Sequence, residues 1–327
     1  MNNNAIIILG MHRSGTSATT GMLRCLGVSL GPKLYAGHSH INAKGYFEHS
    51  NVADTNEETL LTINSAWDDI LPKPKNWWND EKLSHYANKI KTFLTKDFKH
   101  TALWAIKDPR VCRLMPWWLN ILTDLNIKPK FLVVIRPPHE AYLSLNRRDG
   151  FSLEKSYLLW ILHYIEAEFW SRKHTRTFVT FEALINNPTE SFKSIETALG
   201  LCFPISPEDA SSGLSQFISK DLVHHNKQKP DELTHQDLIE IANKLYELLA
   251  PETRVENTQL NFEELDKIRQ QVQNIENSFS PLLTEQLRNT YKIRSNLQLT
   301  INKIFRSWSW FLGKPIRLLE RLQGKDV

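Results

Sequence analysis

The chain has 327 residues, 41% hydrophobic and 23% charged, with a formal net charge of +4. That length supports one large core with an appendage, and so mild a charge is not the footprint of a nucleic-acid binder. Cys25, Cys112 and Cys202 are odd in number, far apart and without metal-ligand spacing. They fit buried thiols of a reducing compartment better than disulfides or a metal site. With no basic leader and no run of about 18 apolar residues, the sequence reads as cytoplasmic and unanchored. Ala5-Ile6-Ile7-Ile8-Leu9 is apolar throughout and predicts a strand covered on both faces. Gly10 and Gly15 then bracket a turn, and Thr16 to Leu26 recurs at helical spacing with Gly27 as its stop. A strand, a glycine turn and a helix start aim backbone N–H groups at an anion. Gly10-x4-Gly15 is P-loop spacing, yet Thr16 stands where a nucleotide kinase or ATPase carries Lys, and the cation is Arg13 instead.

The strand, Arg13-Ser14-Gly15-Thr16-Ser17 and the amphipathic helix together resemble the 5′-phosphosulfate loop of sulfotransferases, specifically the bacterial carbohydrate-type branch. These enzymes use 3′-phosphoadenosine-5′-phosphosulfate (PAPS). The resemblance implies a P-loop-like three-layer α/β fold with a central parallel sheet flanked by helices. It also implies cofactor contacts from His12, Arg13, Ser14, Gly15, Thr16 and Ser17.

Val28 to His49 is loop-like and ends in Gly45-Tyr46-Phe47-Glu48, which resembles the family segment whose carboxylate faces the acceptor. Glu48 is therefore the implied general base, which must reach the hydroxyl it deprotonates. His12, His38, His40 and His49 are the other candidates, and a helix cap or salt bridge is the structural role open to Glu48. Asn51 to Leu71 reads as a helix closed by Pro72-Lys73-Pro74, with Trp67, Trp77 and Trp78 around the break. Those indoles line a glycan groove or fill a core. Ser84 to Asp97 is a further amphipathic helix.

Thr101 to Ile106 predicts a strand that delivers Lys107-Asp108-Pro109-Arg110 to the sheet edge where ligands gather. This sequence also matches the family pattern, which implies that Lys107 meets the sulfuryl or bridging oxygens and that Arg110 holds the loop or the acceptor. Asp108 imitates a Walker B aspartate, or else pairs with Arg110 or Arg13. Phe131 to Ile135 is the next strand, followed by Arg136 and a helix from His139 that carries Ser144, Arg147 and Arg148. Arg136-x7-Ser144 resembles the second signature of the family, the pair that holds the 3′-phosphate; a guanidinium suits phosphate by its planar set of donors.

Ser152 to Lys173 reads as a long helix, Thr177 to Phe181 as a strand, and Asn187-Pro188 as the start of a helix ending at Gly200. Strands alternating with helices predict a parallel sheet with helices on both faces. Phe217 to His225 resembles the family's closing segment. From about residue 230 the character changes, predicting a PAPS-binding domain over 1–230 and a helical extension over 231–327. The extension comprises a helix over Asp237 to Leu249, a helical arm over 258–304, and a basic, Trp-containing amphipathic stretch over 301–322. That last stretch fits peripheral docking on the inner membrane surface or on a protein. The reading is a sulfotransferase moving a sulfuryl group from PAPS to a hydroxyl of a glycan or other acceptor. Glu48, Arg13 and Lys107 carry the chemistry, and no metal is required. A P-loop kinase or NTPase using Mg²⁺ and a non-catalytic nucleotide-binding scaffold are the rival readings.

Overall fold

A computed structural model describes residues 4–35, 46–217, 236–250, 260–279 and 281–306. His38, His40, the segment 218–225 and the stretch beyond 306 lie outside the described residues. Four parallel strands form one sheet: β1 (Ala5–Leu9), β2 (Trp104–Lys107), β3 (Pro129–Ile135) and β4 (Thr175–Thr180), in the order β2-β1-β3-β4. The chain leaves β1 for β2 on one side and then crosses to β3 on the other. Such a reversal opens a crevice at the carboxyl ends of the strands. Ile8 of β1 pairs in register with Lys107, and Leu9 with Val133, so the ends of three strands reach that crevice together.

Every residue of β1 is buried, which explains its unbroken apolar run. Alternate side chains feed two apolar layers. Ala5, Ile7 and Leu9 face α2 (Ser50–Thr62), α3 (Ser84–Phe98), α4 (Val111–Asp124), α5 (Pro138–Asp149) and α6 (Leu153–Ser171). Ile6 and Ile8 face α1 (Thr16–Cys25), α7 (Phe181–Asn186), α8 (Pro188–Leu199) and α9 (Ser211–Phe217). The predicted α/β fold, a parallel sheet flanked by helices on both faces, is what the chain adopts. Beyond it, α10 (Gln236–Leu249) and α11 (Phe262–Ser278) add Leu245, Leu249, Leu265 and Ile268 to the first layer. α12 (Pro281–Arg306) follows, and no described helix is long and apolar enough to cross a membrane.

Several boundaries differ from the sequence expectation, and three of them have a clear local cause. The helix expected to run to Leu71 ends at Thr62, because Asn64 takes a left-handed conformation (φ 53°) and turns the chain into a loop. β4 stops at Thr180, whose hydroxyl caps α7 by accepting from the Ala183 N–H at 3.2 Å. The single arm expected over 258–304 is two helices, with Pro281 at the first position of the second.

Candidate active site

The turn after β1 exists because two glycines stand where side chains have no room. A Cβ on Gly10 would lie 2.6 Å from the Val134 carbonyl oxygen. One on Gly15 (φ 89°) would lie 2.1 Å from the Phe181 ring. Arg13 also sits at positive φ (70°), and Ser14 N–H donates to the Met11 carbonyl at 3.2 Å, closing the turn. The first N–H groups of α1 have no acceptor within the helix, and its first turn carries no acidic residue. The turn therefore presents donors and a positive dipole end to the crevice.

On one side of the turn stands a cationic group. Arg13 Nε donates to Ser144 Oγ at 2.8 Å, and Arg136 Nη1 donates to the Arg13 carbonyl at 3.2 Å. Arg136 also bonds Glu140 at 2.8 Å, one turn along α5, and its guanidinium lies 5.4 Å from the centre of the Phe181 ring. Burial, and then the charges of Arg148 and Arg136, draw the pKa of Arg13 below its ordinary value. Guanidinium groups held close enough to oppose one another's charge make a site that an anion would relieve.

On the other side, Lys107 leaves the end of β2 with its side chain almost wholly buried. Its Nζ donates to Glu48 Oε1 at 2.7 Å and to Ser17 Oγ at 3.1 Å. Ser17 Oγ in turn donates to the Tyr46 carbonyl at 3.3 Å. The two expected chemical groups, Lys107 and Glu48, thus meet as an ion pair against the hydroxyl at the start of α1. Thr16 is buried beneath the turn.

Asp108 is committed to structure. It accepts from Asn56 Nδ2 at 2.9 Å and from both the N–H and Nη1 of Arg110 at 3.0 Å, while Arg110 Nε bonds Glu57 at 2.7 Å. Despite burial, the charges of Asp108 and Glu57 raise the pKa of Arg110. His12 packs its ring on Trp67 at 4.4 Å between centroids and 6.3 Å from His163. Burial, and then the positive charge of Arg110, hold its imidazole neutral well below the usual histidine range. Ser14 is fully buried. His49 bonds Asp97 at 3.0 Å, which ties one alternative base to α3.

Arg13, Ser17, Lys107, Glu48, Arg136 and Ser144 are thus brought together by direct hydrogen bonds from four separate stretches of chain. Sequence reasoning gave no role to Phe181, which requires glycine at position 15 and supports Arg136. It also missed Arg148, whose guanidinium lies 5.3 Å from the centre of the Trp67 ring. The only signal for Arg148 was its place on the helix of Ser144, one turn further on. Of the three tryptophans, Trp77 is buried and Trp78 packs edge-on to Trp170 in the apolar layer, whereas Trp67 adjoins the loop residue His12.

No family model matches the chain, and no curated protein does. Among solved structures, it is similar to the sulfotransferase domain from the Synechococcus PCC 7002 olefin synthase. That likeness has a TM-score of 0.42 and 16% identity, covering 82% of this chain and 94% of that one. For the sulfotransferase domain from the curacin biosynthetic pathway the TM-score is 0.40 at 14% identity, covering 83% and 97%. Retinol dehydratase, solved with androsterone and the inactive cofactor PAP, gives 0.34 at 13% identity, covering 86% and 82%.

Proposed function

We propose that the chain is a PAPS-dependent sulfotransferase acting on a hydroxyl of an acceptor, with a glycan hydroxyl as the favoured class. The observation that carries this reading is the convergence of Arg13, Arg136 and Ser144 beside the glycine turn. Two anion sites on either side of one ribose are what a 3′,5′-bisphosphate requires and what ATP does not. Arg136 and Ser144 hold the 3′-phosphate, and the turn with Thr16 and Ser17 holds the 5′-phosphosulfate. PAPS, when bound, supplies an activated sulfuryl group and leaves as adenosine 3′,5′-bisphosphate.

The chain's own residues do the rest. Lys107 and Arg13 place fixed positive charge where negative charge gathers, at no reorganisation cost during reaction. Glu48 accepts the proton of the acceptor hydroxyl; Lys107 bonds only its Oε1, and a carboxylate has two oxygens. Trp67, half-buried beside His12, is the indole nearest the turn for contact with a sugar ring. Three free cysteines suit a reducing, cytoplasmic setting. The kinase reading lacks its lysine at position 16, and its Walker-like Asp108 is already engaged by Arg110 and Asn56.

Thermal unfolding tests this reading, because a ligand of the folded state raises the transition. Adenosine 3′,5′-bisphosphate is expected to stabilise the protein more than adenosine 5′-phosphate does, by roughly 1.5–3 kcal/mol of binding for charged hydrogen bonds. Arg136→Ala should abolish that preference while the unliganded protein stays folded. Stronger stabilisation by ATP with Mg²⁺ would favour the kinase.

A further inference from the structure

Large apolar side chains are exposed at few places among the described residues, and most of those places lie on α12. Leu282, Leu287, Ile293, Leu297 and Ile301 are all at least 41% exposed there; elsewhere only Tyr35, Ile205 and Phe262 are comparably open. The helix touches the body through Tyr291, which is buried with Ala66 and Leu71, and through Arg288 and Arg294, which bond Pro72 and Asp68. At about 100° per residue, Leu282, Ile293 and Leu297 fall on the side turned away from Tyr291, and Ile301 lies roughly 80° from it, at the edge of that side. From Leu282 to Leu297 they mark a stripe about 22 Å long, interrupted by Gln286 and Asn289 between Leu282 and Ile293. A soluble body rarely leaves such a stripe open without something to cover it.

Charge selects what covers it. Between residues 281 and 306 there are five basic residues, Arg288, Lys292, Arg294, Lys303 and Arg306, against the single acidic Glu285. A second copy of this helix would bring like charges together along the seam, which disfavours self-pairing. An anionic lipid surface is complementary to both properties, since it takes up apolar side chains and attracts the flanking cations. We propose that α12 is a peripheral docking arm whose exposed stripe enters the headgroup boundary of an anionic bilayer. The next residues, which include Trp308, Trp310 and Phe311 with Lys314 and Arg317, continue the same composition. Docking in this way needs no particular chemistry at the crevice and stands apart from the sulfotransferase reading.

The test is co-sedimentation of the full chain with vesicles of phosphatidylcholine alone or with phosphatidylglycerol added, at low and high salt. The expected result is binding to the anionic vesicles at low salt, at least about tenfold weaker on neutral ones and weakened again by salt. The variant Ile293→Glu/Leu297→Glu/Ile301→Glu, checked for an unchanged unfolding transition, should lose at least about tenfold in binding. If that variant fails to fold, Lys292→Glu/Lys303→Glu, which leaves the stripe intact, should lose affinity and show a shallower salt dependence. Wild-type protein that stays in the supernatant at low salt would overturn the proposal. So would triple-variant binding equal to wild type, which would assign docking to the residues after 306 alone. A wild-type dimer that the triple variant turns into a monomer would assign the stripe to self-association and overturn it too.

Discussion

At the scale of single residues, the Lys107–Glu48 pair carries the sharpest expectation. Lys107 bonds both Glu48 and Ser17, and it is too buried to lose its carboxylate without cost. Glu48→Gln keeps an acceptor for Lys107 Nζ but takes no proton, so it separates base from positioning partner. Turnover, followed as acceptor-dependent release of adenosine 3′,5′-bisphosphate, should fall roughly 10²–10⁴-fold with nucleotide affinity nearly unchanged. Near-normal turnover would transfer the base role to a histidine. Most of the residues brought together here stand at a strand end or helix start that the apolar pattern marks, whereas Ser144 lies in the middle of α5. The site was legible to that extent; its internal wiring was not. Glu48 and Lys107 lie 59 positions apart, Arg13 and Ser144 lie 131 apart, and no local pattern records such a pairing.

Among elements, the loop from Ile63 to Pro74 links the crevice to α12. Its Trp67 stacks on Phe151 and packs on His12, while the neighbouring Asp68 is buried and bonded by Lys155 at 2.8 Å and doubly by Arg294. Burial pushes the Asp68 carboxyl up, but the hydrogen bonds from Arg294 and Lys155 outweigh it and hold the pKa below the usual carboxylate range. The stabilisation that follows is complete above the unfolded carboxylate value of about 4 and is lost as pH falls through the lower folded value. Arg294→Ala should therefore cost roughly 1.5–3 kcal/mol at neutral pH. The gap to wild type should narrow in thermal unfolding below about pH 4, because protonated Asp68 has nothing to lose. A gap independent of pH would mean that Arg294 acts through packing. This loop was read as helix because Leu60, Leu61 and Ile63 extend the helical spacing. Periodicity cannot register a backbone reversal at one asparagine, nor a clamp whose partner is 226 residues away.

For the whole molecule, the question is whether residues 1–230 form a unit that folds alone. The alternation of strands and helices up to Gly200 was readable, and so was the change of composition near residue 230. What composition does not show is where the later helices lie. α10 contributes Ala242, Leu245 and Leu249, and α11 contributes Leu265, Ile268 and Val272, each 3% exposed or less, to the layer that also holds Ile7, Leu9 and much of α6. Arg172, at the C-cap of α6, joins them by bonding both the buried Glu168 and Asp266 of α11, the latter at 2.7 Å. At about 1.5–3 kcal/mol for each large apolar side chain, the five besides Ala242 amount to roughly 7–15 kcal/mol of burial. A domain's whole net stability is about 5–15 kcal/mol. A chain ending at residue 230 should therefore fail to give a cooperative unfolding transition, even with adenosine 3′,5′-bisphosphate present. One ending at residue 279 gives up the contacts of α12, those of Tyr291, Arg288 and Arg294 among them, and should unfold cooperatively at a modestly lower temperature. Cooperative unfolding and nucleotide binding by the 1–230 chain would show instead that α10 and α11 decorate a core already complete without them.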